Sequence, residues 1–221
     1  MAQRSTFWST LTEPLVRQNP VTLQILGICS ALAVTTSLAT ALTMSASLTA
    51  VLTLAAGLIS VIRNHIPGTI RLIVQIVIIA SLVIVIDQIL QAYFAEISRA
   101  LSVYVGLITT NCLVLGRTEA YATHNPPGRS MVDALGNGLG YSLVLLVIGA
   151  VRELFGKGEL MGQQVLPLVE QGGWFTPLSL MLLPPAAFFL LGLLVWAIRT
   201  VQPEQAEAPE HSPPLAREGE E

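Results

Sequence analysis

The chain has 221 residues, of which 52% are hydrophobic and only 11% are charged, and its formal net charge is -3. A soluble domain usually carries about 25% charged residues, and a charged side chain at the bilayer centre is costly. The composition therefore excludes an ordinary soluble domain and a nucleic-acid-binding protein. It indicates a polytopic membrane protein instead.

The apolar runs predict six membrane-spanning helices, because each crossing needs about 20 mostly apolar residues. Residues 1–20 are interrupted by charges and prolines, so we predict a cytoplasmic N-terminal segment without a cleaved signal peptide. The uncharged stretch between Arg17 and Arg63 has room for two spans, with a turn within TTSLATALTMSAS. The predicted spans lie near residues 21–42, 45–62, 69–94, 100–116, 138–155 and 177–198.

The end of the chain differs from the rest in composition. Beyond residue 201 it carries six glutamates and one arginine among prolines and small residues. Such a segment has too little apolar surface to fold. We predict a disordered acidic cytoplasmic tail over 201–221.

The distribution of basic residues predicts the orientation, because cytoplasmic segments of membrane proteins are enriched in Lys and Arg. Six spans put both termini on one side. That side receives eight basic residues: Arg4, Arg17, Arg63, Arg71, Arg117, Arg129, Arg199 and Arg217. The other side receives three: Arg99, Arg152 and Lys157. We therefore predict a multi-pass protein with both termini in the cytoplasm.

The two halves of the chain share a pattern that indicates an internal repeat. Alignment of Cys29 with Cys112 brings similar features into the same order, including an arginine and a helix breaker in VIRNHIP and AVRELFG. Three spans per half mean that the second half enters the membrane from the opposite face. We predict an all-α fold of two inverted three-helix repeats, over 21–98 and 99–200. The first helix of each repeat is expected to be interrupted near mid-membrane.

Cys29 and Cys112 are the chain's only cysteines, and both fall near the middle of a predicted span. A single buried cysteine is usually a small hydrophobic residue. A pair at matched repeat positions is also compatible with two ligands of a metal centre. Because iron–sulfur clusters are normally held by four thiolates, such a centre would need two ligands from elsewhere.

Three charged residues are candidates for a supporting role or an ion path. Asp87 is an acidic residue within the third span, where carboxylates are often functional, although its polar neighbours favour a position at the membrane edge. Arg117 and Glu119 would either stabilise a break after Cys112 or begin a cytoplasmic loop. No combination of residues defines a catalytic site, so we assign no catalytic side chain.

Five stretches of the sequence together carry a resemblance to a known family. The chain resembles the D-type membrane subunits of the bacterial sodium-translocating NADH:quinone oxidoreductase (Nqr), which are related to the membrane subunits of the Rnf ferredoxin:NAD complex. The resemblance covers about residues 14–203. It rests on LGICSALAVTTSL, SVIRNHIPGTIRLIVQIVIIASLVIVIDQIL, VGLITTNCLVLGRTEAYA, DALGNGLGY and QGGWFTPLSLMLLPPAAFFLLG.

The resemblance implies a role in electron transfer within a six-subunit complex of the bacterial inner membrane. In that family a homologous sister, the E-type subunit, lies in inverted orientation. Each of the two proteins contributes two cysteines to a shared 2Fe-2S cluster or single iron, which here would be Cys29 and Cys112. The family's NADH, FAD, FMN, riboflavin and quinone are bound by the remaining members of the complex, termed A, B, C and F.

The expected function is therefore an electron relay coupled to Na⁺ translocation, as a subunit of an NADH:quinone reductase rather than a complete enzyme. We expect Thr109, Thr110 and Asn111, beside Cys112, to tune the centre's potential through hydrogen bonds near the sulfur. The alternatives are an Rnf-type relay subunit and a non-redox subunit with an ion-conducting or structural role.

Overall fold

The computed structural model describes residues 19–21, 23–93, 106–160, 163–164 and 179–201. Its α-helices are α1 (Ile28–Val34), α2 (Leu38–Ile62), α3 (Arg71–Tyr93), α4 (Cys112–Arg117), α5 (Pro127–Lys157) and α6 (Pro184–Val201). Shorter elements are two 3-10 turns (Gly68–Ile70 and Ser179–Leu182), a π-helical turn (Thr118–Ala122) and an antiparallel pair of two-residue strands, β1 (Glu159–Leu160) and β2 (Gln163–Gln164).

Among the described elements, three helices are long and apolar enough to cross a membrane: α2, α3 and α5. Helix α6 is apolar but shorter. Helix α3 exposes apolar side chains such as Ile73, Val77 and Ile84. A helix whose exposed face is this apolar is suited to contact lipid. The third predicted span, 69–94, matches α3 closely.

The first predicted span, 21–42, contains an interruption, as the sequence predicts for the first helix of each repeat. Helix α1 has only seven residues, and a non-helical segment at 35–37 separates it from α2. Thr35 donates its hydroxyl to the carbonyl of Ala31 over 2.6 Å, a local bond of the kind by which threonine competes with regular helix. The predicted turn within 35–47 is therefore a break of three residues, after which the chain continues as one 25-residue helix.

In the second half, the interruption lies before the cysteine rather than after it. Residues 106–109 are helical, 110–111 are not, and α4 begins at Cys112. The Asn111 side chain accepts a hydrogen bond from the N–H of Leu113 over 2.9 Å, which caps the new helix. The predicted span 100–116 is thus interrupted, and its part before residue 106 lies outside the described residues.

Helices α2 and α5 pack along most of their length and form the centre of the molecule. Helix α5 begins at Pro127, eleven residues before the predicted start of the fifth span, and GNGLG lies within the helix. A Cβ atom added at Gly138 would lie only 2.7 Å from Thr49 Cγ2. The absence of a side chain there lets the two helices approach closely.

Helix α6 begins at Pro184, so the proline pair predicted inside the sixth span starts the helix instead. Proline is favoured at this position because its missing N–H would have no partner within the helix anyway. Most of two predicted terminal segments, 1–20 and 201–221, lies outside the described residues.

Candidate functional site

The turns that carry the two cysteines lie against each other. The amide N–H of Gly27 donates a hydrogen bond to Cys112 Sγ over 2.9 Å, across 85 positions of sequence. Gly27 lies two residues before Cys29, and each cysteine is at the start of a short helix, α1 or α4. The structure therefore brings together the two interruptions on which the sequence placed its candidate ligands.

The backbone before Cys29 has an unusual conformation. Gly27 has φ 82° and Ile25 has φ 55°. A positive φ is accessible to glycine but unfavourable for a β-branched residue. Such outliers are costly and persist where surrounding structure holds them, often at functional sites. Here they direct the Gly27 amide toward the Cys112 sulfur.

Ser30, the residue after Cys29, joins both cysteine turns through its hydroxyl. It accepts a hydrogen bond from Asn111 Nδ2 over 2.9 Å and donates to the carbonyl of Gly27 over 3.0 Å. Its oxygen also lies 2.6 Å from the hydroxyl of Tyr141 on α5. Because a hydroxyl has one proton and two lone pairs, these three contacts use its full hydrogen-bonding capacity.

The ring of Tyr141 packs against the turn at Gly27. Tyr141 is fully buried, and a Cβ added at Gly27 would lie 2.8 Å from its Cε2 atom. Asn19 adds a second link between this part of the chain and α5, since its Nδ2 donates to the carbonyl of Gly140 over 3.0 Å. Polar contacts and ring packing thus fix both cysteine turns on α5.

The thiols differ in exposure, and this bears on what they can bind. Cys29 is exposed on the surface of the chain and Cys112 is half-buried. Among the described residues, no three or more His, Cys, Asp and Glu side chains lie together as a potential metal site. The donor set therefore fits half of a four-thiolate centre, and one of its two cysteines is exposed, so another chain can approach it.

Arg117 and Glu119 do not pair with each other. Arg117, at the end of α4, makes a bidentate ion pair with Asp133 of α5. Glu119, in the π-helical turn, accepts from Arg71 and from Gln75 Nε2 on α3. These contacts tie the segment after Cys112 to two long helices, so neither residue begins a free loop.

The other predicted residues lie at different distances from the cysteines. Asn111 is buried and bonded as described, whereas Thr110 is exposed in the turn and Thr109 is half-buried. Asp87, near the far end of α3, accepts a hydrogen bond from Gln91 Nε2 over 2.7 Å. Among the described residues, neither of its carboxylate oxygens bonds to a cysteine turn.

Sequence reasoning missed Gly27, Ser30, Tyr141 and the bond from Gly27 to sulfur. The glycine and serine flank Cys29 in LGICS, and a short glycine–x–cysteine–serine pattern gives some signal for a tight turn. Nothing in the sequence connects Tyr141 to a turn 111 positions earlier.

Known proteins show strong similarity to nearly the whole chain. A family model described as "Rnf-Nqr subunit, membrane protein" matches residues 7–195. The chain is 58% identical over 198 residues to the D subunit of the Na(+)-translocating NADH-quinone reductase of Shewanella sp. (strain W3-18-1) and of Shewanella oneidensis, and 57% identical to that of Shewanella baltica. Each alignment covers 90% of this chain and 94% of the relative. The chain therefore belongs to the Rnf-Nqr family of membrane protein subunits.

Proposed function

We propose that this chain is the D subunit of a sodium-translocating NADH:quinone reductase and relays electrons across the membrane. In this proposal Cys29 and Cys112 hold half of an iron centre, a 2Fe-2S cluster or a single iron. Two cysteines of the homologous E-type sister complete it. The observation that carries the proposal is the contact between the two cysteine turns, in which the Gly27 amide donates to Cys112 Sγ.

An iron centre held there would supply a one-electron carrier in the middle of the membrane. The protein's part is to hold its two sulfurs in place and to set their surroundings. The hydrogen bond from the Gly27 amide N–H to Cys112 Sγ stabilises negative charge on the sulfur. Hydrogen bonds of this kind are among the factors that set reduction potentials. Ser30 and Asn111 fix the turns on which both thiols depend.

The exposure of one thiol supports the need for a sister protein. A half-filled ligand set with an exposed Cys29 calls for a partner that also covers that surface, since unpaired backbone at a helix break must be buried in protein at this depth. An inverted three-helix repeat in each of the two proteins would bring the partner's cysteines from the opposite face. The short α1 before long α2, and short α4 before long α5, support such a repeat.

Charge distribution supports an inner-membrane protein with both termini in the cytoplasm. Arg152 is fully buried and Arg117 is ion-paired within the helix packing. Removing both from the loop charges leaves seven basic residues on the terminal side and two on the other, so the bias remains. The remaining members of the complex, A, B, C and F, would bind NADH, FAD, FMN, riboflavin and quinone.

The relay is tested by replacing each cysteine with serine in the assembled complex. Cys29→Ser and Cys112→Ser should each remove the iron signal of the centre and stop NADH-to-quinone turnover. Ser81→Ala, an exposed position on α3, is the control and should retain both. Normal iron content and turnover in both cysteine variants would exclude the relay.

A second candidate, an ion-conducting role without redox chemistry, is favoured by one observation on α3. Oδ1 of Asp87 is buried without a hydrogen-bond partner among the described residues. An oxygen in this state is free to bind a transported cation. Asp87→Asn should then abolish Na⁺ uptake while the iron signal persists. Loss of neither would leave Asp87 as a structural residue at the membrane edge.

A further inference from the structure

Arg152, on α5, is the largest fully buried side chain of the described residues. An isolated charge at this depth is costly, and a buried arginine persists only when its donors are satisfied. All three nitrogen atoms of its guanidinium group donate to oxygen atoms, and the described residues show no carboxylate ion pair to it. The protein therefore uses this cation to bind four backbone carbonyls and one hydroxyl.

One side of the guanidinium group binds the end of α1. Its Nη1 donates to the hydroxyl of Thr35 over 2.6 Å and to the carbonyl of Leu32 over 3.3 Å. Thr35 in turn donates to the carbonyl of Ala31. The last carbonyls of a helix have no partner within it and favour a cation, so Arg152 caps the carboxyl end of the helix that carries Cys29.

The other side of the group binds the segment before α6. Nε donates to the carbonyl of Met181 over 3.0 Å, and Nη2 donates to those of Leu182 and Leu183 over 2.9 and 3.2 Å. One planar group thus joins α5, the break after α1 and the turn that precedes α6. A lysine has a single ammonium group and cannot span these directions.

Glu153, the residue after Arg152, binds the other side of the break between α1 and α2. A carboxylate oxygen of Glu153 accepts the N–H of Leu38, the first residue of α2, over 2.6 Å. This N–H is one of the donors that a helix start leaves unpaired. Arg152 and Glu153 therefore bind the end of one helix and the beginning of the next.

We propose that Arg152 is a positioning residue for Cys29, which holds the short helix α1 in register and places a fixed positive charge at its carboxyl end. A seven-residue helix is too short to be stable alone, so α1 depends on contacts at both ends. Leu32 follows Cys29 by three residues, a rise of roughly 4.5 Å along a helix, and Arg152 binds its carbonyl. A positive charge beyond the end of this short helix favours an added electron. The electronic effect rests on the proposed function, whereas the hydrogen bonds do not.

Two measurements on the intact complex test the proposal. Amide hydrogen exchange over residues 31–38 measures how firmly the break between α1 and α2 is held. A redox titration of the iron signal measures the effect of the positive charge on the midpoint potential. Arg152→Lys keeps the positive charge but loses the planar guanidinium group that binds in several directions. We expect amide exchange over residues 31–38 to be at least tenfold faster. Arg152→Gln loses both and should also lower the midpoint potential by about 59 mV, a tenfold change for one electron.

Arg129→Gln is the matched control, because this arginine is on the same helix but exposed, and it should change neither quantity. Should both Arg152 variants fail to assemble, Thr35→Val removes the hydroxyl that accepts from Arg152 and donates to Ala31, and it should still accelerate exchange. Unchanged exchange in the assembled variants overturns the positioning role. Faster exchange with an unchanged potential in Arg152→Gln overturns the electronic effect of the charge. A wild-type complex without an iron signal would refute the proposed iron relay but not the positioning role. The exchange data would still show whether Arg152 holds the break.

Discussion

The hydroxyl of Tyr141 lies 2.6 Å from the hydroxyl of Ser30, so a residue in the middle of α5 contacts the turn that carries Cys29. Ser30 gives its proton to the carbonyl of Gly27 and accepts from Asn111. Its remaining lone pair therefore accepts from Tyr141. This single hydroxyl links three segments that are far apart in sequence, and its loss should affect both cysteines.

Tyr141→Phe removes only the hydroxyl and leaves the ring packed against Gly27. We expect a loss of about 1 kcal/mol in stability, because one buried hydrogen bond disappears and Ser30 keeps two others. The midpoint potential of the centre should also shift, since Ser30 positions both cysteine turns. Thermal denaturation of the complex and a redox titration measure the two effects.

Tyr121→Phe is the control for that change. Tyr121 is half-buried in the π-helical turn, and its ring lies 5.6 Å from the guanidinium carbon of Arg117. Loss of this hydroxyl leaves the ring contact intact, so potential and stability should stay near wild type. Equal shifts in both variants would mean that Tyr141 has no particular connection to the cysteines.

Gly27→Ala should disturb the site more strongly than Tyr141→Phe. The backbone at Gly27 has φ 82°, which disfavours alanine by about 1–2 kcal/mol. In addition, the new Cβ would lie 2.8 Å from Tyr141 Cε2, so the ring or the turn must move. We expect reduced iron content in the purified complex, measured by metal analysis.

Gly128→Ala provides the comparison for that substitution. Gly128 lies in the first turn of α5 with open space around its Cα. Alanine is favoured over glycine in a helix by about 1 kcal/mol, so this variant should keep its iron and be slightly more stable. Normal iron in Gly27→Ala would show that the turn tolerates displacement and does not position the sulfur.

The two ion pairs near the π-helical turn should differ in strength. The side chains of Arg117 and Asp133 are 17% and 7% exposed, whereas those of Arg71 and Glu119 are 34% and 36% exposed. Removing one partner of a buried pair costs about 3–5 kcal/mol, while exposed pairs contribute about 0–1 kcal/mol. Arg117→Ala should therefore lower the melting temperature of the complex much more than Arg71→Ala. A larger loss in Arg71→Ala would reverse this order.

Hydropathy predicts α3 well, because residues 76–86 form a run that is apolar except for Ser81 and that contacts little protein. It failed at the start of α5, where Pro127 to Gly138 includes charged and small residues. Ser130 and Asp133 in that segment are buried against other helices. Sequence hydropathy averages over faces and cannot detect polar residues that are satisfied by packing partners.

The cysteine pair could be proposed from its matched positions, but the contacts around it could not. The sequence predicts that Asn111 tunes the centre from beside Cys112, but not that its side chain caps α4 and reaches Ser30. The sequence places Arg152 among the loop charges, whereas the structure buries it fully. These roles depend on long-range packing between the halves, and a single sequence does not encode such distances in a readable form.

The difference in exposure between the thiols predicts an order of reactivity when iron is removed. Cys29 is exposed on the chain, while Cys112 is half-buried and accepts the Gly27 amide. After chelation of the intact complex, a membrane-permeant maleimide should label Cys29 several-fold faster than Cys112, as read by peptide mass spectrometry. Neither thiol should be labelled before chelation, because both would be bound to iron and Cys29 would be covered by the sister protein. Rapid labelling of Cys29 in the untreated complex would contradict a shared centre, since a ligand between two chains cannot also be freely accessible.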